Sequence, residues 1–156
     1  MGQKITSKEP IITPGWIIMP YKYSVGALAS KFFVELRDNK RIMGVKCSEC
    51  NRVIVPPRSV CNKCFSKLHE CVELDCKGTL LTYTIVHYTP SCEWLKPPFA
   101  YGVIQLDGAD TGFTHMLGEV DLENIKIGMR VEAVFKDKRQ GNILDIQYFR
   151  PLASSL

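Results

Sequence analysis

The chain has 156 residues, 46% of them hydrophobic and 23% charged, a make-up that excludes a wholly disordered chain and fits a globular domain. Its 20 basic and 16 acidic side chains leave a formal charge of +4, too small for a protein whose binding to nucleic acid is dominated by charge. No apolar run is long enough to cross a bilayer, and the N-terminus lacks the basic-then-apolar layout of a secretory signal. A cytoplasmic protein with no membrane partner is therefore expected.

Residues 1–22 contain Pro10, Pro14 and Pro20, which exclude a continuous helix. The same stretch carries Ile11, Ile12, Trp16, Ile17, Ile18 and Met19, too apolar for a solvated tail. It is expected to be an extended arm lying on this domain or on a partner. Val25, Leu28, Ala29, Phe32, Phe33 and Leu36 then fall at helical spacing and predict one amphipathic helix. Ser24 is its expected N-cap, and Asp38-Asn39 the turn after it. A short strand over 41–46 completes a unit of residues 23–46 that leads into the first cysteines.

Seven cysteines are present, and four form two tight pairs, Cys47-x2-Cys50 and Cys61-x2-Cys64. An odd count clustered in this way argues against a disulfide framework and for a reducing compartment. A two-residue spacer lets both sulfurs of a pair reach one ion, and two such pairs complete a tetrahedron. Cys47, Cys50, Cys61 and Cys64 are thus expected to hold one zinc ion in a ribbon over residues 47–76. Iron is the rival occupant of the same sulfur set. Four thiolates leave no open position, so the metal's role would be structural. Val53-Ile54-Val55 supplies a strand inside the ribbon, and Pro56-Pro57 turns the chain. Cys71, Cys76 and Cys92 are expected as buried packing. His69, His87 and His115 lack metal-ligand spacing, and nothing in sequence joins Cys92 to a histidine base.

Beyond Gly78 the pattern turns to strands, over 79–88, 100–106, 113–117, 129–136 and 142–149, separated by Asp107-Gly108, Gly128 and Gly141-Asn142. Five short strands over residues 77–152 predict a small barrel of OB-fold type, a sandwich edge or an SH3-like barrel being the alternatives with a similar pattern. The fold class is therefore mainly β with an N-terminal helix, a zinc ribbon being followed by a five-stranded OB-fold barrel. The loop 89–99, with Trp94, Leu95, Pro97, Pro98 and Phe99, is either a lid on the barrel or a wall of a ligand or partner site.

Taken in succession, the Phe-Phe-Val-Glu-Leu helix end, Lys46-Cys47-Ser48-Glu49-Cys50, Pro56-Pro57-Arg58, Cys61-Asn62-Lys63-Cys64, the run from Gly78 to His87, Pro97-Pro98 and Ile127-Gly128-Met129-Arg130-Val131 resemble the rubredoxin-like zinc ribbon plus OB-fold family once catalogued as "domain of unknown function 35". The likeness covers about residues 25–151. It implies an accessory protein of acyl-CoA metabolism, without activity of its own, bound to a thiolase-fold enzyme subunit and helping to bind a CoA thioester, as in β-oxidation-like degradation of an aromatic or other acyl-CoA. The catalytic groups would belong to the partner, and this chain is expected to contribute none. The four metal cysteines match the family pattern one for one, and Arg58, Lys96, Pro98 and Phe99 are carried as candidate CoA contacts.

A second reading comes from another class, because zinc ribbons and OB-folds also bind single-stranded nucleic acid through stacked aromatics. Tyr83, Tyr88, Tyr101 and Phe113 would be the platforms. The near-balanced charge and the usual burial of strand aromatics weigh against it.

Overall fold

The structure is a computed structural model that describes residue 15, residues 19–88 and residues 96–152. Most of the arm 1–22 and part of the loop 89–99, including Cys92 and Trp94, lie outside the described residues.

Helix α1 (Gly26–Asn39) forms where the apolar stripe predicts it, and Phe32 and Leu36 are fully buried on that face. Its N-cap position is Val25, one residue beyond the expected Ser24, and no side chain caps it there. The Ser24 hydroxyl still accepts a bond from the Gly26 N–H at 3.4 Å. Lys40 ends the helix in the left-handed conformation, its N–H bonding the Glu35 carbonyl. The apolar face at the helix's start is covered only in part. There Val25, Leu28 and Ala29 face Pro57–Val60 and Lys67–His69 across a groove.

Three strands follow: β1 (Ile42–Lys46), β2 (Val53–Ile54) and β3 (Glu70–Leu74). They make an antiparallel sheet in the order β2-β1-β3. Strand β3 was not expected, because Glu-Cys-Val-Glu-Leu alternates poorly; its pairing with β1 over five residues is what makes it a strand. β1 is buried along most of its length and serves two cores. Ile42 and Met43 join α1 and the barrel in the main core, while Val45 joins Ile54, Leu68, Cys47 and Cys61 in a small one.

The rest is a closed barrel of β4 (Lys77–Val86), β5 (Phe99–Leu106), β6 (Gly112–Leu117), β7 (Arg130–Phe135) and β8 (Ile146–Pro151), in the order β4-β5-β6-β8-β7. Leu80, Ile104, Phe113, Ile146 and Phe149 fill it. Gly78 permits β4 and β5 to meet: a Cβ there would lie 2.4 Å from the Gln105 carbonyl oxygen. The last strand begins four residues later than the sequence pattern implied. Residues Ile143–Asp145 form a 3-10 turn instead, capped at its start by the side chains of Asn142 and Asp145 and at its end by the Ile146 N–H on the Ile143 carbonyl. The buried Asp145 carboxylate accepts from the N–H groups of Gln140, Gly141 and Asn142, at 2.8, 2.7 and 3.2 Å. Those backbone donors would otherwise be orphaned, so the turn outcompetes strand there. Strands β6 and β8 meet only at Leu117 and Phe149, in parallel.

Candidate metal centre and the ribbon–barrel surface

Two similar turns deliver the sulfurs. In the first, the Cys47 N–H bonds the Arg52 carbonyl at 2.8 Å, and Asn51 is left-handed with φ of 56°. In the second, the Cys61 N–H bonds the Ser66 carbonyl at 2.9 Å, and Phe65 is left-handed with φ of 59°. The repeated five-residue reach curls each Cys-x2-Cys pair around a common point. All four sulfurs lie within 4.8 Å of one another. Cys47 and Cys64 are 3.5 Å apart, and Cys50 and Cys61 are 3.6 Å apart. The edge of a zinc–sulfur tetrahedron is about 3.8 Å, so the donor set fits such an ion in both chemistry and size.

The surroundings bias the thiols toward thiolate unequally. The Ser66 hydroxyl, 3.1 Å from the Cys47 sulfur, and then the Cys50 N–H draw Cys47 down to about 6. The N–H groups of Cys64 and Lys63 lower Cys61. At Cys50 the Arg52 N–H pulls downward, but burial and the neighbouring cysteines outweigh it and push the thiol up to about 11. An arriving cation must therefore displace protons, which ties its affinity to pH. Cys71 and Cys76 pack against the main core but are only half-buried, less than the sequence implied.

The ribbon is clasped to the barrel by the turn between β5 and β6. The Val53 N–H bonds the Asp110 carboxylate at 2.8 Å, and the Asp110 N–H bonds the Val53 carbonyl at 2.8 Å. The Thr111 hydroxyl accepts from the Val55 N–H at 2.9 Å and donates to the Val55 carbonyl at 3.0 Å. Sequence reasoning missed both residues, because their partners lie more than fifty positions away.

Arg58 is exposed just past this clasp and lines two grooves, one against the start of α1 and one against Thr111–Thr114 of the barrel. Lys96 and Pro98 are exposed at the entrance to β5. Phe99 is half-buried, its ring 5.6 Å from that of Tyr101. Between the two places lies a cavity of about 340 Å³ lined by Tyr101, Thr114 and His115 among others. Arg58 thus lies at one place on the surface and Lys96, Pro98 and Phe99 at another, and among the described residues no cavity joins them. Of the candidate stacking aromatics, Phe113 is 2% exposed and belongs to the core, so it offers no platform.

A four-thiol ribbon clasped to a closed five-stranded barrel defines a zinc-ribbon and OB-fold protein. Family models match in the same order: the ChsH2 rubredoxin-like zinc ribbon domain over residues 35–70 and the ChsH2 C-terminal OB-fold domain over residues 71–136. A DUF35 domain-containing scaffold protein of Methanocaldococcus jannaschii is 32% identical over 122 residues, 75% of this chain and 86% of the relative. A protein of the same description from Pyrococcus furiosus is 32% identical over 130 residues, 81% and 94% of the two chains. Among solved structures, one described as an Ltp2-ChsH2(DUF35) aldolase aligns with a TM-score of 0.62 at 22% identity, over 83% of this chain and 98% of that one. A DUF35-family protein of unknown function from Sulfolobus solfataricus aligns at 0.58 with 28% identity, over 81% and 84%. The chain belongs to the DUF35 family.

Proposed function

We propose that this protein is a non-catalytic subunit of an acyl-CoA-processing complex in the cytoplasm, holding a thiolase-fold enzyme subunit and helping to bind the CoA thioester. The observation that carries the reading is the 32% identity, over most of both chains, to relatives described as scaffold proteins. The solved relative described as an Ltp2-ChsH2 aldolase fits the same role, since its description pairs a DUF35 chain with an aldolase. On this chain the metal is one zinc, and its four sulfur ligands would leave no position for a substrate. Its work is to fix the ribbon.

The surface supplies what a docking subunit needs. Phe65 at the tip of the second cysteine turn is 79% exposed, and Met19, Tyr21 and Tyr23 are exposed ahead of α1. Large aromatics left in water on a small protein are characteristic of contact surfaces. Arg58 and Lys96 are the cations offered to the phosphates of CoA, and Pro98 and Phe99 the apolar contacts beside Lys96. Arginine's fork suits phosphate by donating two parallel bonds.

Purification of the protein with its bound partner from source cells, followed by identification of that partner, tests the reading. A thiolase-fold subunit is expected. In the reconstituted complex, Arg58→Ala or Lys96→Ala should raise KM for the thioester by roughly five- to a hundredfold, the worth of one charge-assisted contact. The kcat should hold, because such contacts bind ground and transition states alike. Loss of kcat at constant KM would place this chain in the reaction and overturn the accessory role.

A further inference from the structure

The two cysteine turns are built alike but do not end alike. In each, the N–H of the first cysteine closes on a carbonyl five residues ahead, that of Arg52 in one turn and of Ser66 in the other. Arg52 and Ser66 therefore occupy equivalent positions. The Arg52 side chain turns away, and its guanidinium reaches the Asp110 carbonyl at 3.2 Å as part of the contact between ribbon and barrel. The Ser66 side chain turns inward. Its hydroxyl oxygen lies 3.1 Å from the Cys47 sulfur and 3.1 Å from the Cys64 sulfur, so it touches one ligand from each cysteine pair.

Four thiolates around a divalent ion leave a net charge of about −2. That charge borders the small apolar core of Val45, Ile54 and Leu68. Cys47 and Cys61 are fully buried, so their thiolates depend on donors from the protein. Backbone groups supply part of the need. The Cys50 N–H faces the Cys47 sulfur, the Arg52 N–H faces Cys50, and the N–H groups of Cys64 and Lys63 face Cys61. For Cys64, the exposed ligand, the donor at hand is the Ser66 hydroxyl. A serine hydroxyl carries one hydrogen and rotates to suit its surroundings. Set at the same distance from two thiolates, it donates to whichever carries more charge. Alanine at this position would leave Cys47 one donor short in a place closed to water.

We infer that Ser66 is a positioning residue of the metal centre, its hydroxyl sharing one hydrogen bond between the Cys47 and Cys64 thiolates. It ties the two cysteine pairs together and withdraws charge from their sulfurs without ligating the ion. Partners of this kind set how tightly a metal is held, and hydrogen bonds to sulfur also shift the potential of an iron centre. The role therefore concerns both zinc and its iron rival, and it does not depend on the function proposed above.

The test compares the full-length parent chain with Ser66→Ala, Ser66→Thr and Arg52→Ala. In competition with a chromophoric chelator, Ser66→Ala should bind zinc roughly 10–100-fold more weakly, the usual cost of losing a partner of a metal ligand. Ser66→Thr keeps the hydroxyl and should recover most of the affinity. A loosened turn would also weaken binding, so a second readout is electronic. In the cobalt(II)-substituted protein, the sulfur-to-cobalt charge-transfer band should move to longer wavelength in Ser66→Ala, because a sulfur stripped of a hydrogen bond gives up electrons more readily. The band should return in Ser66→Thr, and Arg52→Ala, changed at the equivalent position of the other turn, should leave it in place. A Ser66→Ala protein with parental zinc affinity and an unmoved band overturns the inference. Weaker binding with an unmoved band overturns it as well, because the hydroxyl would then only pack the turn.

Discussion

Replacing Thr111 with valine keeps the side chain's shape and removes both bonds that its hydroxyl makes to Val55. Val55 is 2% exposed, so water cannot take the hydroxyl's place there. Its N–H and its carbonyl, now bonded at 2.9 and 3.0 Å, would both lose a partner. An unsatisfied buried polar group costs about 1–3 kcal/mol. Two adjacent groups that relax together should then cost about 2–4 kcal/mol, a large part of the roughly 5–15 kcal/mol that holds a domain folded. Urea unfolding followed by circular dichroism, with zinc kept saturating, gives the number. Thr111→Ser keeps the hydroxyl and should recover most of the loss. A Thr111→Val loss under about 0.5 kcal/mol, the scale of an inconsequential surface change, would show that the clasp does not hold the ribbon on the barrel.

Three further outcomes are expected. Cys47→Ser or Cys61→Ser, at fully buried positions, should abolish metal binding and cost several kcal/mol, since metal binding is part of the folding free energy; elemental analysis of the parent protein should find one zinc per chain, and a red, iron-loaded protein would correct the metal. Phe65→Asn places a residue that tolerates the left-handed backbone where φ is 59°, so stability should hold or rise by up to about 1 kcal/mol, while capture of the enzyme partner weakens; equal capture would remove Phe65 from the interface. Because His115 is held neutral by burial, the unfolded chain binds the extra proton below pH 6.5. The stability it contributes is complete above 6.5 and declines as pH falls through the lowered native value. His115→Phe should flatten that part of the stability–pH curve, and an unchanged slope would disprove the assignment.

Local features made much of this molecule readable from its sequence. Gly78, Asp107-Gly108 and Gly128 mark places where only certain backbones fit, so the barrel strands could be placed to within a few residues. The cysteine pairs carry their chemistry in their spacing. What escaped was set by distant partners. Glu70–Leu74 became a strand because β1 offered an edge to pair with. The stretch after Gly141 had a strand-like pattern, but Asp145 bonded the backbone behind it and made a turn. Asp110 and Thr111 looked like ordinary turn residues until the fold set Val53 and Val55 beside them. His115 gave no signal as one of three scattered histidines; its stack with Phe113 exists only in three dimensions.

The clasp has a consequence for how the protein survives unpartnered. A three-stranded sheet ends in two open edges, and an open edge invites pairing with another chain. Asp110 and Thr111 occupy the outward-facing backbone groups of residues 53–55, so the β2 edge is already taken. At the other edge, β3 carries the exposed charges of Glu70 and Glu73, which resist close approach by a second copy. The barrel closes on itself, with β6 and β8 paired only at Leu117 and Phe149. A ribbon cut away from the barrel would bare its β2 edge and should aggregate, so the attachment that orients the two parts is also what keeps the shorter one in solution.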